Sequence, residues 1–522
     1  MQYHLADLFE HAVDHYPERE YLVCDGKRRT YAEMEARANR LAHHLQAVGV
    51  GPGDHVGIYA LNSVEWVETI WACFKIRAVW ININYRYVED ELRYLFENAD
   101  LKALVHQEQY RDRVEAVREH LPLLEHALVI EDGYEEALAA QSPERDFGPR
   151  SPDDHYVLYT GGTTGMPKGV IWRHEDVFFT LGGGTDLMTG EQVASPEAVV
   201  EKGRAGPMTS LPIAPLMHGA SQWSTMSAAF VGNRVVLVPT FDPKDVWRLV
   251  EQEAVNLLMI TGDAMGRPLI EALDDPDCEP DTSSLWAVSS TAALFSPAVK
   301  DRFFERFPNL VVTDAIGASE TGGQGVSMVK AGETGMRGGP TVRVTSGTQV
   351  LDEDFRPVEP GSGTVGKLAR TGHIPLGYYK DPLKTAETFV TRDGVRWSMP
   401  GDFATVEADG AVTLLGRGSQ SINSGGEKIY PEEVETAVKA HPDVYDAVVV
   451  GVPDERWGSR VAAVVQPREG ASPTLESIQD HCRRHIAGYK VPRQLELVTT
   501  VVRSPSGKPD YRWARSVAAP EG

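Results

Sequence analysis

Little in this sequence points to covalent stapling or to a membrane. Of 522 residues only four are cysteine (Cys24, Cys73, Cys278 and Cys482), and none stands in C-x-x-C spacing. Neither a disulfide framework nor a metal knuckle is therefore indicated. No run approaches the ~18 uninterrupted apolar residues of a spanning helix. The best candidate, Trp66 to Ile81, is broken by Glu68, Lys75 and Arg77. The amino terminus, Met1-Gln2-Tyr3-His4, meets acidic residues at once, unlike a secretory signal. The expectation is a cytoplasmic protein with no integral membrane segment. No internal repeat of solenoid period is present. Positive charge is scarce as well: 51 Lys and Arg face 75 Asp and Glu, a net of −24. From Arg417 onward there are 14 basic and 14 acidic side chains, so the whole deficit lies on residues 1–416. Such a surface repels a phosphate backbone and speaks against nucleic acid as a general partner. An anionic small molecule can bind only where a pocket supplies its own donors.

What is present is the balance of a globular chain, 42% hydrophobic and 24% charged, long enough for three or four units at ~150 residues each. Thr30-Tyr31-Ala32-Glu33 reads as a capping box. Met34, Ala38, Leu41, Leu45 and Val48 then recur at helical steps on one apolar face, and Gly49 supplies a stop. Val56, Ile58 and Ala60 follow as a strand. Short apolar runs bounded by turn residues recur at Val235–Val238, Leu257–Ile260, Leu285–Val288 and Leu310–Val312, with helical patterns between several of them. The alternation predicts an α/β fold of largely parallel sheets covered by helices. Pro, Gly and charge cluster at Leu351–Gly366 and at Gly416–Gly426. The second is the stronger boundary candidate, because the charge balance changes there too.

The most informative segment runs from Tyr159 to Gly169 (YTGGTTGMPKG). Its glycines, threonines and single lysine supply bare backbone N–H groups, hydroxyls and one cation, the parts needed to cradle a polyphosphate. A Walker A loop needs Gly-Lys followed by Ser or Thr, whereas this chain has Pro-Lys-Gly, so the segment is not a P-loop signature.

This loop resembles the phosphate-binding motif of the adenylate-forming superfamily, which contains acyl-CoA synthetases, peptide-synthetase adenylation domains and luciferases. Four further motifs are similar to that family's and follow in its order: Asp314–Thr321 (DAIGASET), Pro400-Gly401-Asp402, Gly416-Arg417 with Ser424–Pro431 (SGGEKIYP), and Pro505–Lys508 (PSGK). The resemblance implies a large AMP-binding adenylation domain over 1–416, built of stacked, mainly parallel sheets with helices and a β-barrel-like subdomain. It implies a small mobile α+β domain over 417–522 that carries the catalytic lysine. ATP, Mg²⁺ and coenzyme A are the implied cosubstrates and ion, with a small-molecule carboxylic acid as the activated substrate. A homodimer is compatible with the resemblance.

Residue by residue, the resemblance assigns ATP binding to Thr160, Gly161, Gly162, Thr163, Thr164, Gly165, Lys168, Asp314, Ala315, Ser319, Asp402, Arg417 and Lys508. Glu320 suits Mg²⁺, since a hard cation prefers a carboxylate alongside phosphate oxygens. Asp402 can accept from both ribose hydroxyls. Lys508 is implied to bridge carboxylate, α-phosphate and ribose during adenylation and then to withdraw as the small domain turns. Ser424, Gly425 and Gly426 would then meet the incoming thiol, and Lys490, in Gly488–Pro492, is expected near coenzyme A. His218, in Pro215–Gly219, is expected to gate or position the acid. The residues after it, Ala220-Ser221-Gln222, include no acid, which disfavours an amino-acid substrate. No carrier module follows Gly522, which favours a soluble thiol.

Three departures stand out: Ile316 where the family usually has Tyr, Gly418-Ser419-Gln420 at the hinge with Gln420 as pivot, and Met399 before Pro400. They resemble a subgroup of actinobacterial-type ligases that activate steroid side-chain carboxylates, as do Trp172–Asp176 (WRHED), Thr261–Met265 (TGDAM), Ser290–Pro297 and Gly416–Tyr430. The expected activity is an AMP-forming acyl-CoA ligase for a steroid side-chain acid such as a cholestenoate, or for a long- or medium-chain fatty acid. An aryl acid would fit the same apparatus, because fold and motif do not set the acid. The alternatives are an acyl-AMP ligase serving an acyl carrier protein and an inactive adenylate binder, the latter disfavoured by intact Lys508, Glu320 and Asp402. Acylation of Lys508 would remove the charge that the first step needs.

Overall fold

The computed structural model describes residues 3–160, 166–186, 189–334, 340–424, 427–454, 458–504 and 507–520, with the backbone alone for Arg417, Ser419, Asn423, Glu427 and Lys428. Gly161, Gly162, Thr163, Thr164, Gly165, Gly425 and Gly426 lie outside them.

Local signals carried into structure directly. The helix Tyr31–Ala47 starts at Thr30, whose hydroxyl accepts from the Glu33 N–H while the Glu33 carboxylate accepts from the Thr30 N–H. The charges that interrupt Trp66–Ile81 are anchors rather than breaks. In the wholly buried helix Val64–Lys75, Glu68 meets Arg37 at 2.5 Å, and Lys75 meets Glu10 at 2.6 Å and Glu35 at 2.7 Å. A buried charge is tolerated only when paired in this way. No helix among the described residues is long and apolar enough to cross a membrane.

The first sheet is parallel throughout, with strands ordered Val79–Asn82, His55–Tyr59, Leu101–His106 and His126–Val129. Among the described residues the main sheet has 15 strands. Its parallel core runs Glu20–Cys24, Arg234–Leu237, Thr209–Pro212, Leu257–Ile260, Ala287–Thr291 and Val311–Ala318. Helices such as Pro243–Gln252, Asp263–Ala272 and Pro297–Arg306 cover this core through Trp247, Leu269 and Phe303.

The sheet changes character at Val311–Ala318, which lies parallel to Ala287–Thr291 but antiparallel to Gly322–Val329. Beyond it all pairing is antiparallel, through Thr341–Val344, Val412–Arg417 and Asp402–Val406 to the strands Gly366–Arg370, Val395–Ser398 and Phe389–Arg392. This is the barrel-like part, an antiparallel continuation of the main sheet around Ile316, Val342, Leu368 and Val412. Thr348–Leu351 pairs with Gly366–Arg370, so the first Pro- and Gly-rich stretch is a connection inside the sheet. At the second, the sheet ends with Arg417, and a short helical turn Gly418–Gln420 leads into a separate unit. There the strands Val444–Asp454, Gly458–Pro467 and Gln494–Leu497 carry the helices Pro431–Lys439, Leu475–Cys482 and Tyr511–Ala518 around their own cores.

Candidate active site

The parallel strands converge on one edge. The segments that follow their carboxyl ends are Pro215–His218 after Thr209–Pro212, Thr261–Gly262 after Leu257–Ile260, and Ala292–Phe295 after Ala287–Thr291. In open α/β sheets this is where ligands bind. A cavity of about 510 Å³ opens there, lined by Asp314, Ala315, Ile316, Asp402, Gln420 and Lys508, among others. Four expected site residues, Asp314, Ala315, Asp402 and Lys508, from three distant parts of the chain thus line one cavity. The backbone of Asp402 also lies directly opposite that of Arg417 across its strand pair.

Asp314 is partly buried and forms an ion pair with Lys300, near the start of the helix Pro297–Arg306. Burial pushes the Asp314 carboxyl up, and the Lys300 ammonium pulls it back. Lys300 was not found from sequence, since no motif surrounds it. Ile316, at the position where an aromatic is usual, is buried and packs with the apolar core behind the cavity.

Ser319 and Glu320 form the tight turn after Val311–Ala318. The Trp172 indole N–H donates to the Ser319 carbonyl at 3.0 Å. The Ser398 hydroxyl donates to the Glu320 carbonyl at 2.5 Å, and the Tyr378 hydroxyl donates to Glu320 Oε1 at 2.9 Å. Gly322 (φ 68°) closes the turn, and a Cβ there would fall 1.9 Å from Thr180 Cγ2. Held this way, Glu320 presents a fixed carboxylate, an oxygen donor of the kind that Mg²⁺ takes beside phosphate. The residues present fit that ion.

Thr160 ends the strand His155–Thr160 and pairs with Lys168 at the start of the antiparallel strand Lys168–Arg173. Lys168 pairs with Asp381. His218 caps the helix Gly219–Phe230, and its buried Nε2 has no hydrogen-bond partner among the described residues. Burial, then the charges of Lys508 and Arg86, push its pKa down to about 3. The imidazole is therefore neutral across the physiological range, and the Lys508 ammonium stands close enough to act on it.

Of the other expected residues described, Thr160, Lys168, His218, Ser319, Glu320 and Arg417 are not part of the cavity lining, and neither are Ser424 and Lys490. Ser424 ends the strand Ile422–Ser424, and Lys490 is engaged by both oxygens of Glu433, at 2.6 and 2.7 Å. Buried acids crowd the hinge instead. A Cβ on Gly416 would fall 1.9 Å from Glu432 Oε2, and Arg515 donates to Gln420 Oε1 at 2.8 Å.

Comparison with known proteins places this geometry. Residues 9–379 match the model of the AMP-binding enzyme family, and residues 433–508 match the model of the AMP-binding enzyme C-terminal domain. The chain is 53% identical over 532 residues to a 3-oxocholest-4-en-26-oate–CoA ligase of Rhodococcus rhodochrous, covering 99% of this chain and 96% of that protein. It is 54% identical to a medium/long-chain-fatty-acid–CoA/3-oxocholest-4-en-26-oate–CoA ligase of Mycolicibacterium smegmatis, covering 99% and 97%. Among solved structures, the anthranilate CoA ligase AuaEII in complex with anthranoyl-AMP superposes with a TM-score of 0.85 at 23% identity, covering 99% and 97%. That likeness supports the fold.

Proposed function

The chain belongs to the AMP-binding enzymes, and from that premise we propose that the acid it activates is a steroid side-chain carboxylate or a medium- or long-chain fatty acid. It is an acid–thiol ligase of the AMP-forming kind. An acid carboxylate attacks the α-phosphorus of ATP, the bond to the β-phosphate oxygen breaks, and pyrophosphate leaves. The sulfur of coenzyme A then attacks the acyl carbon, and AMP leaves with the bonding pair of the anhydride oxygen.

The first step joins two anions, so the site must oppose their repulsion with fixed charges and donors. In this reading Lys508 supplies the charge at the carboxylate and α-phosphate, a role supported by its place on the cavity wall beside Asp402 and Asp314. Asp402 accepts from the ribose hydroxyls, with Arg417 opposite, and Asp314 accepts from the adenine amino group. The strand end at Thr160, residues 161–165 and Lys168 hold the phosphates. Glu320 would hold Mg²⁺, which when bound screens the charge on the phosphates. Neutral His218 is a wall against which the acid is placed, since an imidazole held unprotonated neither donates a proton to the carboxylate nor repels Lys508.

The reading divides the chain between Gly416 and Arg417, with 1–416 as the adenylation domain and 417–522 as the mobile domain. The small domain then has two poses: one with Lys508 at the cleft, and one with Ser424 and residues 425–426 near the thiol and Lys490 released from Glu433 toward coenzyme A. The enzyme works in the cytoplasm on soluble cosubstrates, alone or as a homodimer.

The single observation that carries the substrate reading is the identity to the two ligases over essentially the whole chain. The test is AMP release with ATP, Mg²⁺ and coenzyme A across 3-oxocholest-4-en-26-oate, octanoate, palmitate and benzoate. The expected result is turnover led by the steroid acid or by a fatty acid. Turnover led by benzoate overturns the substrate reading, and pyrophosphate release without CoA-dependent AMP favours delivery to a carrier protein.

A further inference from the structure

The run Thr261-Gly262-Asp263-Ala264-Met265 has no part in the roles assigned above. It opens the helix Asp263–Ala272, and that helix meets the small domain at every turn. The turn that presents Lys508 sits on its start. Gly507 has φ 74°, and a Cβ there would fall 2.9 Å from the Ala264 Cβ and 3.0 Å from both the carbonyl and the hydroxyl oxygen of Thr261. The turn itself is braced by Arg503, which donates to the Gly507 carbonyl at 2.9 Å while both oxygens of Asp446 hold its guanidinium at 2.7 Å. Asp263 acts electrostatically on that same Arg503.

Further along, the Arg267 guanidinium lies 5.3 Å from the ring centroid of Tyr445, and Glu271 Oε1 lies 3.4 Å from Arg468 Nη1. Asp263, Arg267 and Glu271 stand four residues apart, so they form one stripe along one helix face. Each is matched by a small-domain residue, in order Arg503, Tyr445 and Arg468. Asp263 and Arg267 are almost fully buried, at 5% and 3% exposure. Arg267 lies 3.6 Å from Asp263 within the helix, and Asp263 Oδ1 also accepts from the Ser296 N–H at 2.8 Å, so the stripe is fixed on the large domain where the small domain meets it.

We propose that Thr261 and the face Asp263–Ala264–Arg267–Glu271 form the docking track that holds the small domain in the pose presenting Lys508, and so set the fraction of enzyme competent for adenylation. The proposal rests on the two-pose reading above. Adenylation needs the docked pose and thioester formation needs the other, so a weaker track lowers the first rate in proportion to the docked population. It leaves the second rate unchanged or raises it. A purely structural role would slow both together.

The test separates the half-reactions by single turnover. Adenylation is followed as pyrophosphate release, and thioester formation is followed from supplied acyl-AMP and coenzyme A. Ala264→Leu wedges the lysine turn off its seat, and Arg468→Glu reverses a charge at the half-exposed rim, where folding is not at stake. Lys508→Ala is the reference. Expected are a loss of adenylation of about threefold for Arg468→Glu and on the order of tenfold or more for Ala264→Leu. Neither should lose thioester formation, and Glu271→Arg with Arg468→Glu should recover adenylation relative to Arg468→Glu alone. If Lys508→Ala separates the two steps but Arg468→Glu and Ala264→Leu leave adenylation intact, or slow both steps alike with unchanged thermal midpoints, the docking track is refuted and the two-pose reading stands. If Lys508→Ala slows both steps equally, the two-pose reading fails and takes the track with it.

Discussion

Glu432→Gln should make the protein more stable, and by an amount that grows with pH. Glu432 lies in the second residue of the helix Pro431–Lys439, sealed against the Gly416 backbone, and its Oε2 has no hydrogen-bond partner among the described residues. No cation is among the groups that shift Glu432, and the two that act on Glu435 are engaged by another acid: Arg503 at 2.7 Å and Lys439 at 3.2 Å both face Asp446 and hold that carboxyl far below the ordinary range. Burial, followed by the neighbouring charge of Glu435, pushes Glu432 up from 4.5 to about 8. Between those values the folded chain keeps a proton that the unfolded chain has lost. Stability therefore falls as pH rises through the window and levels off above about 8. At ~1.4 kcal/mol per pH unit, the loss reaches roughly 3 kcal/mol by pH 7 if the group alone is considered.

Glutamine has the same shape and no proton to lose. The difference in thermal midpoint between Glu432→Gln and the parent should be small at pH 5.5, reach several degrees near pH 8, and stay constant above that. Thermal unfolding in matched buffers of equal ionic strength measures it. A difference that does not change with pH would mean that Glu432 is ionised in the fold, and the burial argument would be wrong.

Three further outcomes follow from the site. Gly322→Ala forces a Cβ to within 1.9 Å of Thr180 Cγ2 at a φ of 68°, so it should lower stability by about 3 kcal/mol in urea unfolding; an unchanged midpoint would contradict the placement of the Glu320 turn. Tyr378→Phe removes the 2.9 Å hydrogen bond to Glu320 Oε1, and the Mg²⁺ concentration for half-maximal rate should rise by about tenfold while the rate at saturation holds. Lys300→Met leaves Asp314 partly buried without its cation, so the carboxyl should take up a proton. KM for ATP should then fall toward the parent value as pH rises, and a KM raised equally at every pH would refute that cause.

The sequence was legible where the information is local. Thr30 and Glu33 predict their helix start because both halves of a capping box lie within one turn of chain. The runs at Leu257–Ile260 and Val235–Val238 predict strands because buried parallel strands are short and continuously apolar. The glycine-rich and acidic motifs fall at strand ends, where tight turns need such residues. What was not legible depends on pairing across the chain. Lys300 is an ordinary helical lysine until the sheet brings Asp314 to it, and Tyr378 reaches Glu320 across 58 residues. The stripe Asp263, Arg267 and Glu271 has the spacing of any solvated helix face, and only the seated small domain distinguishes it. The reversal from parallel to antiparallel at Val311–Ala318 is equally silent in composition, since both of its neighbours read as β.

The charge distribution is intelligible in the same terms. A chain with a net charge of −24 must nonetheless bring a carboxylate and a polyphosphate together. In the large domain two lysines at the site are balanced locally, Lys168 by Asp381 and Lys300 by Asp314. These pairs fix geometry but add little net positive field at the reacting atoms. Lys508 comes from the segment whose 14 basic and 14 acidic residues cancel, so its approach carries no large repulsion or attraction of its own. A strongly basic small domain would be held on the acidic large domain by long-range attraction and would be slow to leave, whereas an acidic one would be slow to arrive. On the two-pose reading, neutrality leaves the balance between poses to short-range contacts, so a few residues at Ala264, Arg267 and Glu271 would decide it. On that argument, raising the ionic strength from 0.05 to 0.3 M should change the ratio of the two half-reaction rates by less than about twofold, because at such screening only bulk charge, not seated contacts, is removed. A ratio that swings by tenfold would place the control in the overall field instead.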